Sequence, residues 1–308
     1  MVGDRRDGGT QGARYGQVSQ GALDARDGRA VQAGPARRWK DDDPRTAVVR
    51  DALRTVITGL VAETGRAQLD IVDAGGGTGG FAVPLASLGH TVTVIDPSPD
   101  SLAAAQRRAA EIAVPLRAIQ GDVADLPGVV GEQGADLILC HSVLEYVDAP
   151  AAAMAAIARV LRPGGAVSVL AASAVAAVVH RALAGRFDEA RRLLGGIAAG
   201  LAAKDGLAAR DGSAVATGLP DGASGAGGER SAATPRRFTL AEVTGLIEAA
   251  GLRPGAAHGV RVFADLVPGI FADGDPGAAD ALLALERAAS AHPAFHDLAT
   301  QFHVLGYR

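Results

Sequence analysis

From Arg45 onward the chain alternates between two hydrophobic periodicities. Val48, Val49, Leu53, Val56, Ile57 and Leu60 recur at the spacing of one buried helix face. Short apolar runs follow at Leu69–Ala74, Thr91–Ile95, Leu116–Gln120, Ala135–Cys140 and Ala166–Leu170, each a strand candidate. Between them, helical patterns are predicted over Gly79–Leu88, Pro99–Ile112 and Ala151–Leu161. Repeated β-α alternation of this kind predicts an α/β fold, a parallel sheet with helices on both faces. Helical material continues past Ala174 to about Leu201, and Thr239-Leu-Ala-Glu242 is a capping box opening a further helix that Gly251 stops. Two late strand candidates, Ala257–Phe263 and Gln301–Tyr307, flank a helix near Ala278–Ala291 and raise the expected sheet to seven strands.

Two stretches carry neither period. Residues 1–44 are rich in Gly, Arg, Asp and Gln and read as a flexible N-terminal arm. Lys204–Ala233, with DG, GLPDG and SGAGG, reads as a flexible insertion in a domain spanning 45–308. Composition supports a folded domain: 48% of the 308 residues are hydrophobic and mean hydropathy is +0.17. Cys140 is the one cysteine, which excludes an intramolecular disulfide framework and a cysteine-cluster metal site. No signal peptide is visible, and the apolar stretch Ala166–Val179 is shorter than the ~20 residues of a membrane span. A cytoplasmic protein of a reducing compartment is expected, with no membrane partner. A net charge of −4 does not advertise a nucleic-acid binder, although residues 1–40 hold eight Arg/Lys against four Asp.

The chemistry concentrates where the first strand ends. Asp73-Ala-Gly75-Gly76-Gly77-Thr-Gly79-Gly80 follows a strand and opens a helix. Glycines there let the backbone turn tightly and approach a ligand, while helix N–H groups face it. Gly75, Gly77 and Gly80 also satisfy G-x-G-x-x-G, so a dinucleotide site must be weighed. Asp96 ends the second strand, 21 residues after Gly75, where a carboxylate can accept both ribose hydroxyls of a nucleoside. The third strand runs into Gly121-Asp122-Val123, a carboxylate and an apolar side chain suited to an adenine. The fourth ends in Cys140-His141-Ser142-Val143-Leu144-Glu145-Tyr146-Val147, and Leu161-Arg-Pro-Gly-Gly165 turns into the fifth.

In this order the motifs resemble those of the class I S-adenosylmethionine-dependent methyltransferases, a Rossmann-like fold, over residues 45–172. Four further segments are similar to the tRNA 5-carboxymethoxyuridine methyltransferases: His141 through Pro150, Ala184-Gly-Arg-Phe-Asp188, Gly259-Val-Arg261-Val-Phe-Ala-Asp-Leu266 and Phe302-His303-Val304. The resemblance implies S-adenosyl-L-methionine as cofactor and contacts to it from Arg45, Gly75, Gly76, Asp96, Asp122, Val123 and His141. Asp73, Gly77 and Gly79 join that set from the glycine motif itself. The chain departs from the family before the late helix, where a lysine-rich run is thinned to Arg230, Arg236 and Arg237.

Methyl transfer from a sulfonium is an in-line displacement in which the protein chiefly aligns the reactants. A carboxylate acceptor, with a pKa near ~4, is already ionised at neutral pH and needs no general base. It needs a cation to hold it, for which Arg261 is the candidate beside Arg236, with Tyr146 and His303 as orienting donors. A hydroxyl acceptor would need a base, and His141 or His303 is then expected to supply it. The carboxylate of a carboxymethoxyuridine in tRNA is the leading acceptor and a small-molecule O-methyl acceptor the alternative. An NAD-dependent oxidoreductase and a non-catalytic nucleotide-binding protein also stay open.

Overall fold

The computed structural model describes Asp43 and residues 45–208, 235–267 and 276–308, all within the compact unit Ala36–Arg308. The expected arm, residues 1–44, lies outside the described residues apart from Asp43. So does 209–233 of the expected insertion.

Seven strands form one sheet: β1 (Asp70–Ala74), β2 (Thr91–Asp96), β3 (Arg117–Gln120), β4 (Ala135–His141), β5 (Leu161–Ala172), β6 (Arg253–Val260) and β7 (Gln301–Tyr307). Their order is β3-β2-β1-β4-β5-β7-β6. The first five are parallel, and β7 runs antiparallel to both β5 and β6. This is the expected Rossmann-like α/β architecture, a mostly parallel seven-stranded sheet with helices on both faces.

The helices are α1 (Ala47–Thr64), α2 (Ala82–Ser87), α3 (Pro99–Glu111), a short α4 (Leu126–Val129), α5 (Pro150–Val160), α6 (Ala174–Leu183), α7 (Phe187–Ala208), α8 (Leu240–Ala249), α9 (Pro276–Ser290) and a short α10 (Pro293–His296). One face of the sheet is covered by Val49, Leu53 and Ile57 of α1, Leu85 of α2 and Leu102 of α3, packed on Ile71, Val94, Leu137 and Leu139. The other carries Met154 and Ile157 of α5 and Val243 and Ile247 of α8, packed on Val72, Ile138, Val167 and Val304. Alternate residues of each central strand face opposite layers, so both must be apolar, which is why those strands read as continuous apolar runs.

Local chemistry sets the start of α8 as expected. Thr239 Oγ1 accepts the Glu242 backbone N–H at 3.2 Å while Glu242 returns to the Thr239 N–H at 2.7 Å, closing the capping box. Several boundaries differ from the sequence pattern: α2 begins at Ala82 rather than Gly79, and β5 runs Leu161–Ala172 rather than Ala166–Leu170. β6 begins at Arg253 rather than Ala257, because an edge strand tolerates Pro254 and a register shift between Pro254 and Ala257 absorbs the irregularity. It ends at Val260 rather than Phe263, because Arg261 adopts φ +60° and leaves the extended region. α7 runs to Ala208, so the first five residues of the expected insertion are helical.

In this strand order the connections diverge between β1 and β4, and ligands in open α/β sheets bind in the crevice at the carboxyl ends of such strands. The glycine loop leaves β1 there, and His141 closes β4.

Candidate functional site

Gly75 starts the loop at φ +72°, its N–H donating to the Ile95 carbonyl at 2.7 Å. A Cβ at Gly75 would lie 2.3 Å from Cγ2 of Val143, so the loop from β1 and the segment after β4 meet with room for hydrogen alone. Gly77 (φ +52°) donates its N–H to Asp96 Oδ2 at 2.9 Å, and Ser98 N–H donates to Asp96 Oδ1 at 2.9 Å. A Cβ on Gly77 would meet nothing nearer than that Asp96 oxygen at 4.0 Å, so the loop presents open space beside the carboxylate. Gly79 (φ +76°) donates its N–H to the Gly76 carbonyl at 2.9 Å.

Asp73 lies under this loop, 3% exposed. Burial, and next the neighbouring charge of Asp96, push its pKa up to about 7, against an opposing backbone donor at Ala82. The structure therefore unites Asp73, Gly75, Gly76, Gly77, Gly79 and Asp96 at one end of the sheet. At the end of β3, exposed Asp122 caps a turn of 3-10 helix (Val123–Asp125), accepting the Ala124 N–H at 3.3 Å, and Val123 is buried beside it.

Arg45 and Arg261, far apart in sequence, meet at Asp265. Arg261 Nη2 is 2.6 Å from Asp265 Oδ2, and the more exposed Arg45 places Nε 3.8 Å from Oδ1. The turn that holds them hangs on Glu286, fully buried in α9, whose carboxylate accepts the backbone N–H groups of Val262, Phe263 and Ala264 at 2.6–2.9 Å. Sequence reasoning missed Glu286. Its signal was a carboxylate inside the apolar stretch Ala281–Ala289.

The remaining expected residues separate. Tyr146 is 73% exposed. His303 is fully buried and both its ring nitrogens are taken, Nε2 by Ser168 Oγ and Nδ1 by His258, which leaves neither for an acceptor molecule. His141 packs edge-on against Phe81 of the glycine loop, ring centroids 4.8 Å apart, with Nε2 2.8 Å from Ser168 Oγ and Nδ1 buried without a partner. Burial lowers its pKa to about 3. Glu145, also missed, is buried with one oxygen accepting the Ala172 N–H at 2.7 Å and the other unpartnered. Burial raises its pKa, against opposing backbone bonds and the charge of Arg237. Cys140 is a fully buried thiol pushed upward by burial and the charges of Glu145 and Asp73. Among the described residues no cluster could hold a metal ion, and no helix is long and apolar enough to cross a membrane.

Residues 72–169, from β1 to within β5, match the family described as "Methyltransferase domain". The match covers about a third of the chain and includes the glycine loop, Asp96, Asp122 and His141. The chain is 35% identical over 131 residues to the tRNA 5-carboxymethoxyuridine methyltransferase of Escherichia coli K12, covering 42% of this chain and 50% of that protein. It is 41% identical over 98 residues to a ubiquinone biosynthesis O-methyltransferase of Methylobacterium nodulans, covering 32% and 38% of the two chains. The matched span is thus half or less of each relative's length. The crystal structure of magnesium protoporphyrin IX methyltransferase from Synechocystis PCC 6803 with bound SAH covers 86% of this chain and 85% of its own at TM-score 0.50 and 14% identity, a likeness of fold.

Proposed function

We propose that the protein is an S-adenosylmethionine-dependent methyltransferase acting on an oxygen acceptor. The observation that carries this reading is the Asp96 carboxylate, held by Gly77 and Ser98 N–H groups beside the open face of the glycine loop within the methyltransferase domain. Asp96 would accept the ribose hydroxyls, Asp122 and Val123 would face the adenine, and the loop from Asp73 to Gly79 would carry the methionyl part with His141, while Arg45 would pair with the methionyl carboxylate. When bound, the cofactor supplies an electrophilic methyl group on a sulfonium. The chain's own work is to exclude water and to aim the acceptor oxygen.

For the acceptor, the relative from Escherichia coli supports the carboxylate of a carboxymethoxyuridine in tRNA. Arg261 would hold that anion, with Tyr146 at the rim, and no base is required. A second reading, a small-molecule hydroxyl, is favoured by two observations. Asp265 at 2.6 Å already neutralises Arg261, and His141 keeps an unpartnered ring nitrogen beside the glycine loop. Labelled cofactor offered with tRNA bearing the unesterified nucleoside and, separately, with phenolic acids tests both. Base-labile label in the tRNA supports the ester; label in a phenolic ether supports the second reading; no transfer to any acceptor ends the proposal.

A further inference from the structure

Four polar side chains stand in a row across neighbouring strands whose other inward positions are mostly apolar. His141 is in β4, Ser168 in β5, His303 in β7 and His258 in β6, which are adjacent in that order. His141 Nε2 lies 2.8 Å from Ser168 Oγ, the same oxygen lies 2.7 Å from His303 Nε2, and His303 Nδ1 lies 3.3 Å from His258 Nδ1. Ser168 and His303 are fully buried. At one end stands His141 Nδ1, buried and unpartnered, on a ring packed against Phe81 of the glycine loop. At the other, half-buried His258 lines a groove of about 550 Å³ between α1, α9 and the β6–β7 pair. Packing alone does not call for this row, because buried hydroxyls and imidazoles cost free energy unless each is hydrogen-bonded.

Proton counting restricts what the row can do. Burial holds all three imidazoles below their ordinary range, with further lowering of His303 by its two histidine neighbours and of His258 by His296. Each ring therefore carries one N–H at neutral pH. A serine hydroxyl between two ring nitrogens donates to one and must accept from the other. Two concerted arrangements result. In one, every proton points from His141 towards His258, and His141 Nδ1 is a bare lone pair. In the other, His141 Nδ1 carries a buried N–H with no acceptor, the less tolerated kind of orphan.

We propose that His141, Ser168, His303 and His258 form a proton relay in which His141 Nδ1 takes the proton of a hydroxyl acceptor and His258 releases one to the groove. The inference rests on the methyl-transfer reading and selects the protic acceptor, since a carboxylate has no proton to give. The acceptor oxygen exchanges its O–H bond for an O–CH3 bond, the methyl leaving the sulfonium as a thioether. The freed proton binds His141 Nδ1. The Nε2 proton of His141 passes to Ser168, the Ser168 proton to His303 Nε2, the His303 Nδ1 proton to His258 Nδ1, and the His258 Nε2 proton to water. One proton enters, one leaves, and every ring ends neutral. The opposite hops restore the row once the cleft is open to water. His141 is the catalytic residue of this scheme; Ser168 and His303 are positioning residues.

Nitrogen-15 NMR of the full chain with labelled histidine, without ligand, tests the row directly. Expected between pH 6 and 8 is a neutral His141 with Nε2 protonated and Nδ1 bare, and Ser168→Ala should move the signals of both His141 and His303. Ser168→Thr, which keeps the hydroxyl, should restore them. A protonated His141 Nδ1, or a His303 signal unmoved by Ser168→Ala, overturns the relay. If Ser168→Ala does not fold, His258→Asn at the half-buried end must move the His303 Nδ1 signal, and its failure to do so overturns the relay equally. In turnover with a phenol, Ser168→Ala should lower kcat at least tenfold with KM for S-adenosylmethionine within twofold; an unchanged kcat overturns the proposal. Binding of S-adenosylmethionine with transfer to carboxylates alone also overturns it. Calorimetry that detects no S-adenosylmethionine binding ends the methyltransferase reading instead, while the ligand-free NMR still judges the row.

Discussion

The Gly77 amide donates to the Asp96 carboxylate at 2.9 Å, joining the loop after β1 to the end of β2 without any ligand. Asp96 thus both shapes the loop and offers charge to a bound ribose. Asp96→Ala should weaken S-adenosylhomocysteine binding by about 1.5–3 kcal/mol, the scale of hydrogen bonds to a charged group. Isothermal titration calorimetry measures this, and unchanged affinity would remove Asp96 from the binding site.

Gly75→Ala should destabilise the fold, since its Cβ would lie 2.3 Å from Val143 Cγ2 at a backbone φ of +72°. The backbone strain alone is worth about 1–3 kcal/mol. Urea denaturation of Gly75→Ala with and without Val143→Ala separates the two causes. Val143→Ala should recover the steric part and leave the backbone part.

Glu286→Gln should cost about 1–3 kcal/mol, because an amide cannot accept at both positions and one of the Val262, Phe263 or Ala264 N–H groups is left unsatisfied. The midpoint of urea unfolding reads this directly. Arg261→Ala, on the turn that Glu286 anchors, should leave the turn folded. With a carboxylate acceptor it should lower kcat far more than S-adenosylmethionine affinity.

Stability should fall on acidification below about pH 6.5. His141 has its pKa lowered to about 3 by burial, so its contribution is fully present above the unfolded value near ~6.5 and is lost as pH falls towards 3. His303 and His258 act in the same direction. Asp73 opposes them: raised to about 7, it contributes stability present below about 4 that is lost as pH rises through 7. Each fully responding group is worth about 1.4 kcal/mol per pH unit. Asp73→Asn should therefore steepen the acid-side loss in a series of urea titrations from pH 5 to 8. An unchanged slope would contradict the raised Asp73 pKa.

The sheet was legible because burial on two faces imposes a local signature. Ile71, Val94, Leu137 and Val167 lie in short apolar runs buried between the two helical layers. The glycine loop was legible because left-handed backbone at Gly75, Gly77 and Gly79 leaves glycine as the residue type. The strand Arg253–Val260 was read three to four residues out, since Pro254 and Gly255 break a local pattern that edge pairing overrides.

By itself the sequence determined the β-α order, the loop after β1 and the acid after β2, all set by period and backbone conformation within a few residues. Only the tertiary structure decided which side chains share a site. Asp265 gathers Arg45 and Arg261 across more than two hundred residues of chain, and Ser168 links His141 to His303 across three strands. The long-range contacts leave no local trace: Arg45 reaches Asp265 from the other end of the domain sequence, and the Ser168 links depend on the order and register of the pairings β4·β5 and β5·β7.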